Sequence, residues 1–184
     1  YKVKVLICFV ERENEVFIPT GATCLQAGDR IALAADTQSI ISFFGLLSAK
    51  KKPIKAVTIA GGGRIPHYLI KSLQDLDINI TVIEKSPRLV EKLRAAYDKI
   101  NIVNADPTDK EVLKAADVGS ADAFVSLTET DEENVIMAMH AKALGCAKII
   151  AVTDQPSYSG ILKDSGIDSI IMPKLLTADR ILQF

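Results

Sequence analysis

Three consecutive glycines, Gly61-Gly62-Gly63, run into Arg64-Ile65-Pro66, and an acid, Glu84, follows 21 positions after Gly63. Glycine has no Cβ, so a loop of this kind lets backbone N–H groups approach a pyrophosphate. A helix that starts there adds a favourable field for the negative charge. An acid about 20 residues further on is spaced to accept hydrogen bonds from a ribose 2′-hydroxyl. The chemistry implied is binding of a nucleotide, with phosphate at the glycines, Gly61 and Gly63, and ribose at Glu84; Arg64 and Ile65, which open the following helix, belong to the same candidate set. Lys85, Asp106 and Thr128 complete the candidate set, because each follows an apolar run that reads as a strand.

These residues need a scaffold that brings strand ends together. Apolar runs at 54–60, 78–84, 100–105, 122–127, 147–153 and 168–172 alternate with helical patterns across short connections, which predicts a parallel sheet covered by helices. The fold class expected is α/β, a Rossmann-like doubly wound parallel sheet, and in such sheets ligands bind at the carboxyl ends of the strands. Helix starts are marked by Ser86-Pro87, an N-cap followed by proline at the first helical position. Thr108-x-x-Glu111 and Thr130-x-x-Glu133 have the spacing of capping boxes.

Ahead of this lies a different pattern. Val3–Val10, Glu15–Ile18 and Arg30–Ala34 read as short strands, broken at Arg12-Glu-Asn14, Pro19-Thr-Gly21 and Ala27-Gly-Asp29, and a helix is expected over 36–47. Lys50-Lys-Lys-Pro53 reads as an exposed linker, because like charges repel and proline stops a helix. The boundaries predicted are a partial small α+β domain at 1–49, a linker at 50–53 and the nucleotide domain at 54–184. Tyr1, set directly in an apolar run, suggests a segment of a larger protein.

Composition narrows the function. At 184 residues with 48% hydrophobic side chains, the chain can bury a core, and a formal net charge of −1 gives no basic field for nucleic acid. The cysteines, Cys8, Cys24 and Cys146, have no paired spacing and fit a reducing compartment. No uninterrupted apolar run approaches the ~18 residues of a spanning helix.

The catalytic inventory is thin. His67 reads as a surface histidine on the first turn after the glycines, and His140 lies within the apolar helical run Ile136–Leu144. Neither has a metal-like partner four residues on. No G-x-x-x-x-G-K-[ST] loop and no Tyr-x-x-x-Lys pair occurs. Binding without catalysis is the expectation, with no catalytic and no metal-ligating residue. Two readings of Asp106 stay open, an adenosine contact or an acid favoured ahead of a helix by the dipole. Capping accounts for Thr130 and Glu133 without a ligand.

The glycine loop departs from G-x-G-x-x-G at its third glycine, where Pro66 stands. Arg64 could offset this with its fork of donors. Glu84 favours a free 2′-hydroxyl, while Lys85 and Arg88 keep a 2′-phosphate from being excluded.

Val57–Ile65, Thr81-Val-Ile-Glu84, Asn104–Asp109 and Ala121–Asn134 together resemble the TrkA family, the RCK (KTN) regulatory subunits of potassium uptake systems. The resemblance continues to the last helix, Lys174–Phe184. Phe17–Thr23 and Ala27–Ile31 are similar to the later part of an RCK C-terminal domain, which implies a slice across a tandem parent. The resemblance implies a cytosolic protein, peripheral to the inner face of the membrane, that binds NAD(H), or else ATP or ADP. It further implies assembly with itself into dimers or rings, and gating of a membrane potassium channel or transporter subunit of the TrkH or KtrB kind. By matching positions Gly61, Gly63 and Arg64 hold phosphate, Glu84 the ribose and Asp106 the adenosine side; the family's usual glycines are replaced by Pro66 and Ala105. The rival readings are a small NAD-dependent oxidoreductase, an S-adenosylmethionine-dependent methyltransferase, and a structural copy with a silent pocket.

Overall fold

A computed structural model describes residues 4–13, 15–46 and 53–182. The chain divides into two compact units, Tyr1–Lys52 and Pro53–Phe184. Residues 50–52 of the expected linker, and residue 47 of the expected first helix, lie outside the described residues.

The smaller unit has a three-stranded antiparallel sheet. Its central strand β1 (Leu6–Arg12) pairs with β2 (Glu15–Phe17) on one side and β3 (Arg30–Ala34) on the other. A helix, α1 (Thr37–Leu46), follows, and Asp36 accepts the Ser39 N–H at 2.9 Å at its start. Arg12, expected in a turn, ends β1 instead. Its guanidinium forms a two-pronged bond to Asp29, with both N–O distances 2.7 Å, and lies over the Phe17 ring. Those contacts extend the strand past the turn signal.

The larger unit contains a six-stranded parallel sheet in the order β6-β5-β4-β7-β8-β9, formed by β4 (Ala56–Ala60), β5 (Asn79–Glu84), β6 (Asn101–Asn104), β7 (Ala123–Ser126), β8 (Ile149–Val152) and β9 (Ser169–Ile171). This is the doubly wound arrangement that the apolar runs predict, with each strand one to two residues shorter at its ends. The chain moves outward from β4 to β6 and then returns to pair β7 beside β4. The strand order therefore reverses between β4 and β7.

Alternation along the strands supplies two cores. Val57, Ile59, Val82 and Val125 meet Ile70 of α2 (Arg64–Leu73) and Leu93 of α3 (Pro87–Ala96). Ala60, Ile83 and Phe124 meet Leu113 of α4 (Lys110–Ala115), Met137 of α5 (Asp131–Ala143) and Leu162 of α6 (Ser157–Asp164) on the other face. Full burial of a valine, leucine, isoleucine, phenylalanine or methionine side chain contributes about 1.5–3 kcal/mol relative to exposure. A last helix, α7 (Pro173–Leu182), follows β9. Among the described residues, no helix is long and apolar enough to cross a membrane.

Both expected capping boxes are corrected. Thr108 does not cap α4: its N–H and hydroxyl both bond to Asp106 Oδ1, and the cap passes to Asp109, whose carboxylate accepts the Glu111 N–H at 2.8 Å. Thr130 occupies the N-cap of α5 but makes no side-chain cap bond. Glu133 is drawn instead to the Lys85 ammonium at 3.0 Å. Ser86 is the N-cap residue of α3 with Pro87 at the first turn, as the dipeptide predicts, although the serine hydroxyl makes no cap bond.

Candidate functional site

The loop after β4 is held by backbone geometry that only glycine meets. Gly61 has φ +109°, and a Cβ there would lie 2.6 Å from the Leu127 carbonyl oxygen. The strand-end loops after β4 and β7 therefore run against each other at the point where strand order reverses, the position at which ligands bind in open α/β sheets. Gly63 is the N-cap of α2, and nothing lies within 4 Å of where its Cβ would be. The first intrahelical bond is His67 N–H to Gly63 O at 3.2 Å. The N–H groups of Arg64 and Ile65 thus have no acceptor within the helix.

Pro66 sits in this first turn, buried. Its missing N–H costs the helix no hydrogen bond there, because that donor has no intrahelical acceptor. It does remove one donor that an anion at the helix end could use.

Glu84, 6% exposed, ends β5 beneath the glycine loop. Its Oε2 accepts the Gly62 N–H and its Oε1 the Ser86 N–H, each at 2.6 Å. The acid thus ties the glycine loop to the start of α3. Each oxygen has a second lone pair, so ribose hydroxyls remain compatible with both bonds.

A cleft of about 260 Å³ opens over these groups. It brings together five of the eight candidates, Gly61, Gly63, Glu84, Lys85 and Thr128, with Leu89 and Pro107 as apolar walls. Arg64 and Ile65 line an adjoining cavity of about 490 Å³ beside Pro66 and Val152, and Gly63 is shared by both spaces. Asp106 is not a lining residue of the cleft, whereas its neighbour Pro107 is. Bonds from the Thr108 N–H and hydroxyl hold the Asp106 carboxyl below the usual carboxylate range. Lys85 is paired across the cleft with Glu133, which raises its pKa, so the expected cation is already engaged.

Two contributors carried no clear sequence signal. Asn134, 1% exposed on the first turns of α5, accepts from the Thr128 N–H and hydroxyl and donates to the carbonyls of Thr128 and Val152. It fixes the loop after β7 to the end of β8. Tyr97 donates its hydroxyl to the His67 carbonyl and bonds the His67 Nδ1, both at 2.9 Å. Burial pushes the Tyr97 phenol up, which keeps it a donor. His67 is exposed, as expected, but anchored.

His140 is half-buried, with no hydrogen-bond partner at Nδ1. No group of three or more His, Cys, Asp or Glu able to hold a metal occurs among the described residues. The Gly61 N–H is bonded to the Ile83 carbonyl and the Gly62 N–H to Glu84, so the donors left open are those at the start of α2, beside the cleft's Glu84 carboxylate and its apolar walls. That arrangement can hold a nucleotide.

The family model of the TrkA-N domain matches residues 57–173. The chain is 31% identical over 178 residues to a protein of Archaeoglobus fulgidus named Trk system potassium uptake protein TrkA homolog, covering 96% of this chain and 40% of that protein. It therefore spans about two fifths of this relative. Among solved structures, the TrkA-N domain of the inner membrane protein YbaL from Escherichia coli aligns with a TM-score of 0.64 at 21% identity, covering 72% of this chain and 97% of that one. The GsuK channel bound to NAD aligns at 0.57 and 20% identity, covering 73% and 26%, and GsuK has also been solved bound to ADP. At these identities the structural likeness is one of fold.

Proposed function

This chain belongs to the TrkA-N domain family, and on that premise we propose that it is a nucleotide-sensing regulatory part of a potassium uptake system. The observation that carries the reading is the glycine loop at the β4–β7 reversal, with free N–H groups at the start of α2 and Glu84 beneath it. The ligand proposed is NAD(H), with ATP or ADP as alternatives, and the names of the GsuK structures support both classes for that channel. The contacts proposed are phosphate at Gly61, Gly63 and Arg64, with Ile65 beside them, ribose at Glu84, the adenosine side at Asp106, and further contacts at Lys85 and Thr128.

The chain acts on a membrane potassium channel or transporter subunit of the TrkH or KtrB kind, works from the cytoplasmic side, and assembles with further copies of itself. It is a regulator, not an enzyme. Residues 1–49 are the later part of an RCK C-terminal domain, 50–53 a linker and 54–184 the nucleotide domain. Ligand shifts the assembly only by binding one arrangement more tightly than another. One observation favours a second reading, a pocket with a structural role alone: Pro66 removes a donor at the phosphate end of α2.

Calorimetric titration of the chain with NAD, NADH, ATP, ADP and S-adenosylmethionine tests this. Saturable binding of a dinucleotide or adenine nucleotide is expected, weakened in Gly63→Ala, where an added methyl meets no protein atom but stands in the path of the pyrophosphate. Pro66→Gly is expected to tighten it. Silence at millimolar ligand in the native chain with recovery in Pro66→Gly selects the structural reading; preference for S-adenosylmethionine, or hydride transfer with a bound dinucleotide, overturns the regulator.

A further inference from the structure

Lys85 and Glu133 stand 48 positions apart in the sequence, and their side chains meet at 3.0 Å across the strand-end cleft that both line. Lys85 directly follows β5, and Glu133 lies in the first turn of α5, the helix after β7. β4, with the glycine loop at its end, stands between those two strands. The ion pair is thus a bar from one side of the strand-order reversal to the other. The gap it bridges is two strand spacings, roughly 10 Å.

The same glutamate has a second place open to it. Thr130 is the N-cap residue of α5 and Glu133 its third helical residue, the positions of a capping box, in which the acid reaches back to the N-cap N–H and the hydroxyl takes the N–H of the acid. Thr130 already has the extended backbone of such a cap, with φ −108° and ψ 117°, yet makes no side-chain cap bond. The backbone is set for a box whose acid is engaged elsewhere. Turning the Glu133 side chain is enough to close it, and that turn releases Lys85. The pair is partly exposed, with 51% of the lysine and 28% of the glutamate side chain in solvent. An ion pair of this kind and a helix cap are of comparable worth, so neither place dominates by energy alone. Asn134, next in sequence, bonds the Thr128 N–H and the Val152 carbonyl, so the turn that the box tightens is tied to the loop after β7 and the end of β8.

We propose that Glu133 is the moving part of a two-position latch, paired with Lys85 in one position and closing the capping box with Thr130 in the other, and that a nucleotide in the cleft drives it to the second by drawing the Lys85 ammonium to its phosphates. A ligand shifts such an equilibrium only by its differential affinity for the two positions, and the freed ammonium supplies that difference. The ligand-driven step rests on the proposed nucleotide function; the exchange of partners by Glu133 does not.

Solvent exchange of the Thr130 amide, read by NMR on the isotopically labelled chain, reports where Glu133 is. Without nucleotide, Lys85→Gln is expected to slow this exchange about fivefold, the worth of a cap bond, and Lys85→Gln/Glu133→Ala to return it to the native rate. Added salt screens an exposed pair, so in the native chain it is expected to slow the same amide, and it serves should either variant unfold. NAD and ADP are then added to the native chain at saturation. The same slowing is expected, with about threefold tighter binding to Glu133→Gln, in which the pair is already broken and glutamine can still close the box. A Thr130 rate that neither Lys85→Gln nor salt changes overturns the latch. Binding of either nucleotide that leaves the rate unmoved overturns the ligand-driven step. Failure of both nucleotides to bind overturns the proposed function and that step with it, and the exchange of partners is then decided by the nucleotide-free arm.

Discussion

The Gly62 N–H donates to Glu84 Oε2 at 2.6 Å, so the acid spaced to meet a ribose also holds the glycine loop in place. A second bond from Ser86, again 2.6 Å, carries that hold to α3. Glu84→Ala leaves two buried or half-buried donors without an acceptor. The expected loss of stability is about 2–4 kcal/mol, since each unmet buried donor costs roughly 1–3 kcal/mol. Urea denaturation measures it, and a variant as stable as the native chain removes the structural role.

Gly61 and Gly63 separate fold from ligand contact. Gly61→Ala forces a side chain into a left-handed conformation and against the Leu127 carbonyl. A loss of about 2 kcal/mol or more is expected from strain and displacement together. Gly63→Ala, with open space and φ −74°, is expected to unfold within about 0.5 kcal/mol of the native chain. Thermal denaturation of the pair checks the contrast.

Asn134 makes four hydrogen bonds from a buried position. Asn134→Leu removes them and leaves the Thr128 backbone unmet, for an expected cost of about 2–4 kcal/mol. Hydrogen exchange is the discriminating readout: protection falls first at Thr128 and the following loop, and a uniform change across the sheet contradicts a local stitch.

In the smaller unit, hydrogen bonds from Arg12, with a further one from the Gln26 N–H, lower the Asp29 pKa from 3.8 to about 2. A carboxyl whose pKa falls on folding contributes stability that is complete above the unfolded value. It is lost as pH falls through the folded value. Acid titration followed by NMR is therefore expected to weaken this unit progressively between about pH 4 and pH 2. Asp29→Asn abolishes that part of the acid response; an Asp29 midpoint near 4 in the native chain contradicts the pairing.

Much of the larger unit was legible before any coordinates. Strand runs such as 54–60 and 78–84 end on glycine or turn residues, and their side chains divide between two helix-covered faces, so local pattern and tertiary arrangement agree. The capping spacings misled for a physical reason. A hydroxyl and a carboxylate three residues apart are local chemistry, and at Thr108 and Glu133 nonlocal or competing partners, Asp106 and Lys85, bind more favourably. Arg12 was misplaced in the same way, because Asp29, 17 residues on, draws it into the strand.

By itself the sequence determined the parallel sheet, the glycine loop at the end of its first strand, and the acid at the end of the next. Those features depend on periodicity and backbone freedom, which neighbouring residues settle. Only the tertiary structure decided how the groups are used: Glu84 turned to Gly62 and Ser86, Lys85 neutralised by Glu133, and Asn134 stitching two strand ends. A side chain's partner is set by which strand ends the winding brings together, and residues as far apart as Asn134 and Val152, 18 positions, or Lys85 and Glu133, 48 positions, carry no local mark of that meeting.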